Sequence, residues 1–121
     1  MSNVTVLRAV PVLFVTDFKA AIDHYQQCFG FEIGFCNNEY CYAGLRRGDV
    51  EIHIGQGQPT GQANRGAGVY LYVDQIDALA HELHRSAAYA DVQVVDHGYG
   101  TREIHVTDPW GNHLAFAERT G

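Results

Sequence analysis

Cysteine, proline and basic residues are scarce in this chain of 121 residues, and no long apolar run occurs in it. The three cysteines, Cys28, Cys36 and Cys41, form an odd set without Cys-x-x-Cys spacing, which argues against a disulfide framework or a zinc knuckle. Lysine and arginine number 8 against 14 acidic side chains, a formal charge of -6. That charge repels phosphate backbones, so nucleic acid is not an expected partner, and a cationic or neutral one fits better. Residues 1–20 hold neither a basic segment leading into an apolar one nor the roughly 20-residue apolar stretch that a bilayer crossing needs. The expectation is a soluble, cytoplasmic protein with no membrane partner.

Two kinds of chemistry are missing as well. No Ser-His-Asp or Cys-His arrangement carries a local nucleophile signature, and Cys28, beside Phe29, reads as a small core hydrophobe. The glycine-rich stretch 55–68 lacks the Gly-x-x-x-x-Gly-Lys-Ser/Thr pattern that cradles phosphate, and Arg65 within it reads as a surface arginine.

What is present is enough apolar material, 46% of residues, to build one core. Residues 10–15 read as a strand, and Phe18, Ala21, Ile22, Tyr25 and Phe29 then recur at the helical period. Thr16 or Asp17 can cap that helix, and Gly30 can end it. Extended stretches follow at 31–36, 39–47 and 49–55, separated by Asn37-Asn38 and Gly48-Asp49 turns. Residues 56–68 show no periodicity and read as a linking loop. The pattern then restarts: Ile76, Leu79, Ala80, Leu83 and Ala87 each lie 58 positions after a member of the first helical stripe. Strands at 92–96, 101–107 and 112–118 complete a second unit, its last two joined by Asp108-Pro109-Trp110-Gly111.

The expected fold is therefore α+β: two tandem βαβββ repeats, about 8–55 and 69–119 around the 56–68 loop, in a single domain spanning 1–121. Their strands form a curved mixed sheet with helices on its outer face and a cleft on its inner face. Side-chain alternation assigns the faces. Val50, Ile52, Ile54, Val69, Leu71, Val73, Ile104, Val106, Leu114 and Phe116 should pack inward. Val10, Val12, Phe14, Glu51, His53, Gly68, Tyr70, Tyr72, Glu103, His105 and Ala115 should face the cleft. His24, His81 and His84 fall off the apolar helix stripes and read as surface residues, while Trp110 reads as partly exposed packing.

The paired units, Pro11-Val12-Leu13-Phe14-Val15 before a helix ending in Phe29-Gly30-Phe31, and Thr107-Asp108-Pro109-Trp110-Gly111-Asn112 together resemble the glyoxalase/bleomycin-resistance/dioxygenase (vicinal oxygen chelate) superfamily. The resemblance implies a divalent metal on four cleft positions, which fall here on Val10, His53, Gly68 and Ala115. Only one of these can bind metal, so the resemblance points away from the metal enzymes and toward the bleomycin-resistance branch, dimeric binders that sequester a cationic, metal-chelating glycopeptide. Ala9 to Leu13 resembles that branch's opening strand, Phe35 with Tyr42 to Arg47 is similar to aromatic-bearing segments of its second and third strands, and Tyr99 to Glu103 is similar to the stretch that borders its drug groove.

The ligand-binding residues expected on this basis are Phe35, Tyr42, Glu51, His53, Tyr70, Tyr72, Tyr99, Glu103 and His105: rings for stacking and carboxylates for a positive charge. No catalytic residue, cofactor or metal is expected. The expected partner is a small cationic or aromatic ligand such as a bleomycin-type glycopeptide, held by a homodimer whose repeats pair within one chain or by strand exchange. The alternative is a metal-dependent glyoxalase- or dioxygenase-type lyase or oxygenase with an altered ligand set, built from His53 and His105 with Glu51 or Glu103.

Overall fold

The structure is a computed structural model that describes residues 2–57 and 68–120. The body of the 56–68 loop, with Arg65, lies outside the described residues. Proline has no N–H to give a ladder, and the first strand accordingly starts just after Pro11, as β1 (Val12–Val15). Pro11 still accepts from the His53 N–H at 2.9 Å. Helix α1 (Phe18–Phe29) begins where the Asp17 carboxylate accepts from the Ala20 N–H, and it ends at Gly30 in the left-handed conformation (φ 70°). Its buried residues are the periodic ones, Phe18, Ala21, Ile22, Tyr25 and Phe29. Burial of each large side chain contributes about 1.5–3 kcal/mol relative to exposure.

Strands β2 (Glu32–Asn37), β3 (Tyr42–Arg47) and β4 (Val50–Gln56) then pair antiparallel, and β1 joins β4 in parallel, giving the order β1-β4-β3-β2. The second repeat repeats this plan with β5 (Gly68–Tyr72), α2 (Ile76–His84), β6 (Val95–His97), β7 (Thr101–Thr107) and β8 (His113–Arg119), in the order β5-β8-β7-β6. Each repeat thus builds its own four-stranded mixed sheet. A single buried cluster runs under both sheets and both helices, from Leu13 to Phe116.

Alternation assigns the inner faces correctly for Leu13, Val15, Ile52, Ile54, Leu71, Ile104, Val106, Leu114 and Phe116, all buried. Val50 departs from it: at the first position of β4, beside the Gly48 turn, it is 42% exposed. The second helix is also shorter than its period suggests. It stops at His84, and a 3-10 turn (Ala87–Tyr89) follows, leaving Ala87 exposed and placing Tyr89 in the core. That turn delays the next strand, which begins at Val95 rather than Val92.

The Tyr89 hydroxyl meets His24 Nε2 at 2.6 Å. His24 is therefore no surface residue: its ring lies edge-on to Phe29, Tyr89 and Trp110, and burial lowers its pKa.

The turn between β7 and β8 ties the two repeats together. Buried Asp108 accepts from the Tyr25 hydroxyl at 2.7 Å and from the Trp110 and Asn112 N–H groups, and Asn112 Nδ2 donates to the Phe14 carbonyl at 3.0 Å. Burial and the neighbouring Asp108 charge raise the Tyr25 pKa far above its usual value, so the hydroxyl stays protonated as the donor. Among the described residues, no helix is long and apolar enough to cross a membrane.

Candidate functional site

Each sheet leaves one face uncovered by the helices, and the expected ligand-binding residues divide between these two faces. On the first sheet, Gly44 of β3 pairs with His53 of β4, and Phe35 of β2 pairs with Gly44. A Cβ on Gly44 would stand 2.3 Å from Phe35 Cε1, so only glycine lets the Phe35 ring lie across the strand. Phe35 then stacks on Tyr42 and meets His53 edge-on at 5.3 Å. The Tyr42 hydroxyl is 2.8 Å from His53 Nδ1, and His53 Nε2 is 2.7 Å from Glu51 Oε2. Glu51 completes its bonding with Arg8, at 2.9 Å. The hydrogen bond from His53, followed by Arg8, holds the Glu51 carboxyl below the usual carboxylate range.

The second sheet arranges the same residue types differently. Alternation along β7 puts Thr101, Glu103 and His105 on one face, and Glu103 is buried there. Its Oε2 accepts from the Tyr70, Tyr99 and Thr101 hydroxyls, the latter two at 3.0 and 2.8 Å, while Oε1 lies 2.8 Å from His105 Nε2. The Tyr70 hydrogen bond comes first among the causes that bring the Glu103 pKa down to about 2, with Thr101, His105 and Tyr99 adding to it. The reciprocal effect pushes Tyr70 up to about 12. Burial followed by the same carboxylate raises Tyr99. Tyr70, Tyr72, Tyr99, Gly100, Thr101 and Arg119 line a cavity of about 460 Å³ on this face. Arg119 lies over the Tyr72 ring, 4.6 Å from its centroid. A larger groove of about 620 Å³ is lined by residues of both repeats, among them Val50, Tyr72 and the Arg47–Glu82 ion pair.

Phe35, Tyr42, Glu51 and His53 therefore belong to one face, and Tyr70, Tyr72, Tyr99, Glu103 and His105 to the other. His53 and His105 sit on different sheets, each bonded to its own glutamate. Val10, Gly68 and Ala115 carry no donor side chain, and both ring nitrogens of His53 are engaged. This donor set does not fit the metal that the resemblance places on those four positions.

The expected ligand-binding set left out Gly44, Thr101, His97, His113 and Arg119. Thr101 was within reach, because it shares the parity of Glu103 and His105. His97 was not, because its place opposite Thr101 depends on where β6 starts after the 3-10 turn.

A sequence profile described as Glyoxalase/Bleomycin resistance protein/Dioxygenase superfamily matches residues 6–116. No curated protein matches the chain. Among solved structures, the bleomycin-binding protein of Streptomyces verticillus complexed with copper(II)-bleomycin is 35% identical, over 93% of this chain and 96% of that one, with a TM-score of 0.75. The bleomycin resistance determinant encoded on transposon Tn5 shares the fold at 20% identity, covering 94% of this chain and 98% of that one, with a TM-score of 0.78. So does a glyoxalase-related enzyme from Clostridium phytofermentans, at 18% identity, 98% and 99% coverage and a TM-score of 0.76.

Proposed function

This chain belongs to the Glyoxalase/Bleomycin resistance protein/Dioxygenase superfamily, and from that membership we propose that it binds and sequesters a small cationic or aromatic ligand, of the bleomycin type, without chemistry. One observation carries the reading: an ionised, buried carboxylate, Glu103, stands behind the tyrosines that line the cavity on the second sheet. Rings of this kind offer flat faces for stacking and cation-π attraction, each worth about 0.5–2 kcal/mol. The negative charge behind them favours a positive ligand, and the net charge of -6 raises its encounter rate.

Nothing in such binding needs a reacting group. The absence of donors at Val10, Gly68 and Ala115 supports a binder over the superfamily's usual metal chemistry. Titration of the protein with bleomycin, followed by tyrosine and tryptophan emission, tests this. A saturable change in the micromolar range is expected, and no change at tens of micromolar removes the drug from consideration.

The working unit we propose is a homodimer, with the N-terminal segment exchanged between copies. Val4, Val6 and Leu7 in that segment are 77%, 85% and 89% exposed, and Val12 and Phe14 continue the apolar strip on the open side of β1. A second copy would cover all five. Light scattering should give twice the monomer mass, falling to the monomer when residues 2–7 are deleted.

A further inference from the structure

We propose that His97, Glu103 and His105 form a binding site for a divalent first-row transition metal such as zinc, sharing Glu103 with the drug-binding reading and distinct from the superfamily's four positions. Glu103 Oε1 lies 2.8 Å from His105 Nε2 and 3.6 Å from His97 Nε2. The donor atoms all fall within 4.8 Å of one another. Ligands held tetrahedrally at zinc-to-donor lengths of about 2.0–2.1 Å stand roughly 3.3 Å apart. The two observed spacings bracket that value, so small side-chain rotations bring the donors onto one centre.

The surroundings have the form that metal ligands require. His97 Nε2 is shut off from solvent yet has no hydrogen-bond partner, although a carboxylate oxygen faces it. The oxygen of Glu103 that would not bind metal is occupied by three hydroxyls. His105 Nδ1 lies 3.0 Å from His113 Nε2. Ligating imidazoles and carboxylates are held in this way, by partners on their far atoms. His105 Nε2 and Glu103 Oε1 face each other at 2.8 Å, a contact that a proton on the imidazole satisfies in the free protein and that a metal ion would take over by displacing that proton.

The His105 side chain is 44% exposed, so the site is reached from solvent on that side. Two imidazoles and one carboxylate suit zinc, cobalt or ferrous iron and not magnesium or calcium, which take oxygen donors.

The test uses the full chain, freed of metal by chelator and then dialysed, with cysteines alkylated so that Cys28, Cys36 and Cys41 cannot bind. Zinc is followed by calorimetry and cobalt by visible absorption. One equivalent should bind, with absorption typical of nitrogen and oxygen donors. His97→Ala and His105→Ala should each weaken binding on the order of 100-fold, and His113→Ala about 10-fold. His81→Ala, on the exposed side of α2, should leave it unchanged. Circular dichroism checks that each variant is folded, and Glu103→Gln serves as the isosteric variant that must also lose the metal. Absence of saturable binding, or equal affinity in folded His97→Ala and the parent, overturns the proposal. Bleomycin titration in the presence of chelator reads the other proposal on its own, so the two can fail separately.

Discussion

Both open faces carry a glutamate two residues before a histidine on a central strand, Glu51 with His53 on β4 and Glu103 with His105 on β7. The environments diverge from there. Glu51 is 20% exposed in its side chain and shares its charge with Arg8, whereas Glu103 is 2% exposed and its bonded partners are three hydroxyls and the His105 imidazole. The first face has neutralised its acid with a guanidinium. The second has stabilised the anion with dipoles and left its charge uncompensated, which is the condition that attracts a cation. The cross-strand partners differ too: Gly44 pairs with His53 in one sheet, and His105 pairs with Ala115 in the other. The histidine has changed strands between the repeats, and the space beside it is filled by Phe35 in the first.

The largest test of this contrast removes each charge in turn. Glu103→Gln should weaken bleomycin binding by roughly 10- to 100-fold, the size expected for a charge-assisted contact. Glu51→Gln should change it less than about threefold. Equal losses would erase the distinction between the faces. Gly44→Ala comes next: its new methyl must displace the Phe35 ring, costing about 1–3 kcal/mol in denaturant unfolding.

Acid sharpens the comparison further. The Glu103 carboxyl is depressed from 4.5 to about 2 in the folded chain, so its stabilising contribution is complete above pH 4.5 and is lost as pH falls toward 2. Unfolding measured over that window should flatten in Glu103→Gln more than in Glu51→Gln. Arg8→Ala should matter least, under about 1 kcal/mol, because Arg8 is 67% exposed in its side chain and surface pairs contribute little.

Much of this architecture was readable from one sequence because it rests on short-range periods. The 58-residue offset placed both helices at their observed starts, Phe18 and Ile76, and two-residue alternation assigned the buried positions of β1, β7 and β8. The same alternation put the acids and histidines on the open faces. Periodicity cannot count tertiary donors, however. Three hydroxyls converge on Glu103 from β5, from the β6–β7 turn and from its own strand, and nothing local announces that they bury it. His24 was misread for the same reason, since its partner Tyr89 lies 65 residues away on a turn that no helical period foretold. The Gly44 requirement likewise appears only once a register shift in β2 lays Phe35 over it.

The Asp108 turn has a consequence for how such a duplicated protein can change. By gripping the Tyr25 hydroxyl and, through Asn112, the Phe14 carbonyl, it fastens the end of the second copy into the first. The copies must melt as one cooperative unit, and neither can drift away from its twin. The copies differ instead on their uncovered surfaces, where one acid leans on a guanidinium and the other on hydroxyls while the clasp between them stays shut.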